Sequence, residues 1–338
     1  MSRAERMLQD VERGFVALEE GRVEDALAAL ERARRVDRKN ADVVLLGAAV
    51  ADAEGDGENA LAQYRTLVEL RPDDPMPRIC IARLELRDLG DPDAALDTLE
   101  QAFEFIDDEA DLIEAIYIKS EALLARDEPA AARETLAELA SSVIDDAELA
   151  LDLAELALAA EDPAAAIKWI EASRAADPEI EADALHLLGR VHELGDDRAA
   201  MIEAWKKVRA LDLAAPAGEI STTEDDIERI TLATLAELPE NVRAILEKVP
   251  ILIADAPSDD NVNDGTDPRS LGQFAGVPMP EDGETEPVVT NIHLYKRNLE
   301  RFAHDEEHLA EEIRITVLHE TAHYFGLDED DLEALGLD

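Results

Sequence analysis

Apolar and small residues return at a fixed interval along the first two-thirds of the chain. A small residue, a bulky one four later and a small or apolar one three after that recur as Ala26, Leu30, Ala33; Ala60, Tyr64, Leu67; Ala95, Leu99, Ala102; Ala132, Leu136, Leu139; Ala166, Ile170, Ser173; and Met201, Trp205, Val208. Spacing of four and three is one face of a helix, and the first members lie 34, 35, 37, 34 and 35 residues apart. Gly21, Gly55 and Gly90 stand five residues before the first three, where a turn between two helices falls. Pro72 and Pro178 follow where a second helix ends. Gly14, Ala48, Ser120, Ala154 and Gly189 recur twelve residues ahead of the aligned position and leave room for paired helices to approach closely. The fourth unit departs most, with Asp127 at the turn position and a longer spacing. The period predicts about six stacked helical pairs over residues 1–213.

The pattern changes after Leu213. Pro216 and Gly218 mark a linker over 214–221, and a second domain follows over 222–338. Thr222 or Thr223, followed by acidic residues, caps a helix to about Leu238. Another helix is expected over 240–248, then a short buried strand at 251–254. A long Asp-, Gly- and Pro-rich stretch occupies 257–286, and within it 271–277 reads as a turn with apolar anchors. Alternation over 288–295 predicts a second strand, and a helix runs from about Glu307 through residue 323. The expected fold is therefore mostly α, a helical solenoid followed by a small α+β domain.

That last helix carries the candidate chemistry. His319 and His323 are four apart, so both imidazoles lie on one helix face and can share a metal ion. Glu320 beside the first histidine is placed to accept a proton from an attacking water. Ile313, Ile315, Val317, Leu318 and Phe325 make the surrounding helix apolar, and Gly326 is suited to end it. Asp328, Glu329, Asp330 and Asp331 follow at once and offer a carboxylate as third ligand. Zn2+ is the metal this donor set suits.

Composition narrows the partners. The chain holds 81 acidic residues against 32 basic ones, for a net charge of −49. Such a surface repels nucleic-acid phosphates and anionic lipid, so neither is expected as a partner. A basic or zwitterionic protein segment fits better on the array. One cysteine, Cys80, sits in an apolar stretch and reads as core. The N-terminal residues lack the apolar run of a secretion signal, and no stretch reaches the length of a membrane helix. A soluble cytoplasmic protein is expected. His186 and His192, six apart on one helix, read as bland, and His304 and His308 as solvent-facing.

Two resemblances follow from these residues. The period and small-residue placement of 1–213 resemble the tetratricopeptide repeat, which implies a concave face that binds a protein or peptide. The order LxELPExxR, a short apolar strand, LGxFxG, IHLYKRN and HExxHxFGLxExDLExLG over 222–338 resembles the small bacterial zincin-like metallopeptidases. Two departures stand out: Tyr324 replaces the histidine common at that place, and the loop before the second strand is longer and more acidic than usual. The resemblance implies a minimal zincin with zinc on His319, His323 and a carboxylate, and Glu320 as general base in peptide hydrolysis. Related HExxHxxGxx(H/D/E) sites place the third ligand six residues after the second histidine, at Glu329; Asp328 and Asp330 remain alternatives. Strand 290–295 is expected to pair with an extended substrate, and Tyr295, Tyr324 or His293 to stabilise the oxyanion. The leading function is a zinc metallopeptidase whose array recruits or positions a protein. The competing one is an interaction scaffold with a structural or vestigial zinc module. Intact Glu320 favours the first, because a purely structural zinc site needs no general base.

Overall fold

Left-handed turns set the rhythm of the array. Gly21, Gly55 and Gly90 have φ of 70°, 73° and 60°, and Asp127, Glu161 and Asp196 have 59°, 57° and 56°. All six residues stand five before an aligned position, so the later units keep the same turn without glycine. In four of the turns the next residue, Asp56, Asp91, Asp162 or Asp197, accepts a backbone N–H of the following helix at 3.0–3.2 Å. Caps of this kind stabilise a helix by about 1 kcal/mol. Part of the chain's acidity is thus local structure.

The computed structural model describes residues 2–218, 220–238, 240, 249–276 and 289–324, in two compact units, Met1–Ala176 and Asp177–Asp338. The first holds α1 (Arg3–Glu19), α2 (Val23–Asp37), α3 (Ala41–Ala53), α4 (Gly57–Leu70), α5 (Met76–Arg87), α6 (Pro92–Phe103), α7 (Glu109–Ala125), α8 (Pro129–Leu136), α9 (Ala147–Ala159) and α10 (Pro163–Ala176). The aligned residues from Ala26 to Val208 are buried, none more than 4% exposed. Gly14 faces Leu46, and any Cβ there would overlap that side chain. Cys80 is buried beside Tyr64 and Arg83, and burial, partly offset by those two groups, pushes its thiol up to about 11.

The second unit joins the sixth helical pair to the C-terminal elements. It contains α11 (Glu181–Leu194), α12 (Arg198–Ala214), α13 (Glu224–Glu237), β1 (Ile251–Ala254), α14 (Asp259–Asp264), β2 (Gly272–Gly276), β3 (Val289–Tyr295), α15 (Lys296–Phe302) and α16 (Glu306–Tyr324). Thr223 caps α13. The strands form one sheet in the order β1-β3-β2, with β1 parallel and β2 antiparallel to β3. Helices α13 and α16 bury one sheet face through Ile227, Leu235, Ile292, Leu294, Leu309, Ile313 and Val317. The chain is thus mostly α, with a small sheet near its C-terminal end.

Three expectations change here. Residues 272–276 form a strand rather than a turn, so β3 is paired on both sides and offers no edge for a substrate. Strand β1 is half exposed, with Leu252 at 41%, because it lies at the sheet's edge. His186 is not bland: its Nε2 meets the Asp267 carboxylate at 2.8 Å. The helix expected over 240–248 lies outside the described residues, Glu240 apart. Among the described residues, no helix is long and apolar enough to cross a membrane.

Charge holds the sixth pair to the loop between β1 and β2. Arg269 pairs with Asp183 at 2.7 Å and with Asp212 at 2.9 Å, and Arg301 pairs with Asp212 as well. Arg198 and Lys206 bond Asn263, and Arg209 pairs with Asp259 at 2.9 Å. Arg297 donates to the carbonyls of Leu213 and Ala215. Beneath these bonds Val262 packs with Met201 and Trp205.

Burial works against the charged form of Asp212, yet hydrogen bonds and charge from Arg269 and Arg301 outweigh it and hold the carboxylate below its usual range. Burial likewise opposes ionisation of Asp267, and His186 together with Arg269 outweighs it. Both groups stabilise the fold above the ordinary carboxylate range near pH 4, and that contribution is lost as pH falls through their lowered values. Unfolding by denaturant as a function of pH is therefore expected to show the second unit weakening below about pH 4, with a shallower dependence in Asp267→Asn. A steric prediction concerns Gly189, where a Cβ would overlap the Trp205 indole. Gly189→Ala is expected to lower stability by about 1–3 kcal/mol in denaturant titration.

Candidate metal centre and the strand above it

Helix α16 reaches the sheet where β2 has no side chain. A Cβ at Gly272 would lie 2.6 Å from Thr316 Cγ2 and 3.1 Å from Glu320 Cγ. Glycine in a strand interior often marks such close approach, and here it lets β2 rest directly on the metal-motif helix. The neighbouring strand residue on the same face, Phe274, packs against the core and donates its backbone N–H to Glu320.

Glu320 is buried, 7% exposed, and burial pushes its carboxyl up to about 7, against the opposing pull of His319 and the Phe274 N–H. Among the described residues no lysine or arginine pairs with it. His319 lies beside it, partly exposed. For His323 and Tyr324 the backbone continues α16. Glu329, with Asp328 and Asp330, lies outside the described residues, as does Gly326. Among the described residues no group of three metal-ligating side chains forms. The part that is described nevertheless fits a divalent cation: an imidazole beside a buried carboxyl that pairs with no lysine or arginine among the described residues, on a helix turn that His323 continues.

His293 and Tyr295 lie on the opposite sheet face. Side chains alternate along a strand, and Ile292 and Leu294 are the ones that pack toward α16. The Tyr295 hydroxyl donates to Gln273 Oε1 at 2.9 Å and accepts from Asn261 at 3.4 Å. Burial, then the Glu320 charge, push this phenol up to about 12, against the Asn261 hydrogen bond. His293 stacks on Tyr295 with ring centroids 6.1 Å apart, and burial lowers its pKa. Gln273 also donates to Thr266 at 2.9 Å.

Gly272 and Phe274 belong to the LGxFxG motif, yet composition marks 271–277 as a turn, and Gln273 stands out in neither pattern. The signal was present as alternation of Gly272, Phe274 and Gly276 against Gln273 and Ala275, a strand pattern inside a stretch that its composition marked as loop.

A second feature lies in the first unit. Carboxylates crowd the first helices of neighbouring pairs: burial first, then Asp108 and Glu114, raise Asp111; burial and Asp152 raise Glu121; burial, then Glu155 and Glu148, raise Asp152. Tyr117 stands among them, its phenol raised by burial and then by Glu121 and Asp152.

Comparison with known proteins agrees with both halves. Residues 246–337 match the zincin-like metallopeptidase family, and residues 17–84 match the tetratricopeptide repeat. The chain therefore carries a tetratricopeptide-repeat region and a zincin-like metallopeptidase domain. Among solved structures it is similar to the type IV pilus biogenesis factor PilW, with TM-score 0.53 and 15% identity over 60% of this chain and 92% of that one. It is also similar to PilF of Pseudomonas aeruginosa, with TM-score 0.50 and 19% identity over 62% of this chain and 93% of that one. At such identity these likenesses show a shared fold. No curated protein matches the sequence. The repeat region supports binding of a protein or peptide partner, and the zincin-like domain suggests zinc.

Gly272→Ala is expected to push β2 away from α16. Zinc affinity, read by competition with a chromophoric chelator, should fall, and stability should drop by about 1–3 kcal/mol. Unchanged affinity and stability would show that the contact is not needed.

Proposed function

We propose that the second unit is a zinc-dependent peptidase and that the array brings a protein or peptide partner to it. The observation that carries this reading is Glu320: a buried carboxyl beside His319, paired with no lysine or arginine among the described residues, under the outer described strand in a segment matching a peptidase family. A structural zinc site has no use for such a group.

In this reading His319, His323 and one carboxylate of 328–330 hold the ion, with Glu329 favoured by spacing. Zinc bound there supplies Lewis acidity toward a peptide carbonyl. Glu320 takes the proton of the attacking water and returns it to the leaving amine. Its burial keeps its affinity for that proton above that of an ordinary carboxylate, which suits a group that must both accept and release it. Strand β2, which among the described residues has β3 on one side only, offers an edge to which an extended substrate can add by backbone pairing. Tyr324, next to His323, is the residue we assign to the oxyanion; Tyr295 and His293, on the other face, support β2 through Gln273 instead.

The crowded carboxylates of α7 and α9 suit a basic segment on the concave face of the array, because a cationic partner would relieve their mutual repulsion. The net charge of −49 argues for a protein partner over nucleic acid or an anionic membrane.

Variants separate the ligands from the base. Glu320→Gln is expected to keep zinc and lose about 100-fold or more of peptide cleavage, whereas His319→Ala loses both. Glu329→Ala should weaken zinc more than Asp328→Ala or Asp330→Ala. Wild type and Glu320→Gln cleaving a peptide library equally well would reject the enzyme and leave the scaffold.

A further inference from the structure

The loop that leads into β2 is fixed by the last helical pair of the array. From residue 257 to residue 270 its hold points come mostly from α11 and α12. His186 takes the Asp267 carboxylate, Asp183 and Asp212 take Arg269, and Arg198 and Lys206 take Asn263. From the other side the buried Asn298 donates to the carbonyls of Pro268 and Ser270 at 2.8 and 2.7 Å. Four consecutive residues, 267–270, are thus pinned immediately before Gly272 reaches Glu320. Antiparallel pairing with β3 fixes the register of β2, but a two-stranded contact still allows it to tilt toward or away from α16.

We propose that the sixth helical pair, through His186 and the Asp183–Arg269–Asp212 bridge, positions β2 over Glu320, so that the working hydrolytic unit begins at α11. The inference rests on the peptidase reading for its functional meaning, but it concerns this chain's own strand placement. His186 and Arg269 are positioning residues: they set where Phe274 offers its N–H to Glu320 and where the open edge of β2 lies. The sixth pair then has two roles, a repeat by its sequence period and a mount for the site by its contacts. The competing explanation is that α14 merely covers the apolar end of the last pair, since the terminal repeat of a solenoid needs a polar cover. The two explanations differ in which segment loosens when the grip is removed.

Hydrogen–deuterium exchange on the full chain, in the absence of substrate, tests this in His186→Ala and Arg269→Gln. Removing a hydrogen bond to a charged group is expected to raise exchange in 272–276 by about tenfold or more. Segments within 1–176 should stay as in the wild type, and α11 and α12 should change less than β2. His186→Asn, which keeps an N–H donor, should recover part of the protection. If Arg269→Gln does not fold, the two His186 variants carry the test. Exchange in 272–276 equal to wild type in His186→Ala overturns the proposal. So does a rise confined to α11 and α12, the outcome for a cover alone. Failure of wild type to cleave any peptide would reject the peptidase reading while leaving the exchange result to decide this one.

Discussion

A missing side chain governs the second unit. At Gly272 the sheet and the metal-motif helix come so close that any Cβ would have to displace Thr316 or Glu320. That approach brings the Phe274 N–H to the Glu320 carboxyl and excludes water from it, under a strand that is outermost among those described. The raised proton affinity of Glu320 is a consequence of packing before it is a feature of chemistry. With a larger residue at 272, the helix and its two histidines could still form, but the carboxyl would lose the surroundings that set it apart.

Carboxylates meet three different fates in this acidic chain. Many cap helices or face water. Asp212 and Asp267 are half-buried but matched by arginine and histidine, and stay charged. Glu320 is buried with no lysine or arginine paired to it among the described residues; His319 and the Phe274 N–H only partly offset its burial, and it is pushed toward neutrality. With 32 basic residues for 81 acidic ones, the places where arginines gather are informative. Arg198, Arg209, Arg269, Arg297 and Arg301 all serve the contact between the sixth pair and the elements after it. That concentration marks a contact the fold depends on.

Helical periodicity was legible because each repeat buries the same three positions, and Ala26 through Val208 are found where the period puts them. The left-handed turns were legible only where glycine fills them; Asp127, Glu161 and Asp196 take the same conformation without announcing it. His319, Glu320 and His323 could be read from helix spacing alone. The strand at Gly272–Gly276 was obscured: its alternation is present, but five residues with two glycines among them resemble a turn in composition. The partnership of His186 with Asp267 spans 81 residues, and no local pattern encodes a contact at that separation.

The lone thiol of the array has a use beyond packing. Cys80 is 8% exposed, and burial keeps its proton on at neutral pH. An alkylating reagent reaches it slowly while α5 stays packed and faster when α5 parts from its neighbours, and no other cysteine in the chain competes for the label. The rate of its modification is therefore a built-in clock for breathing of the third repeat, readable in the unaltered protein and in the presence of any partner that clamps the array shut.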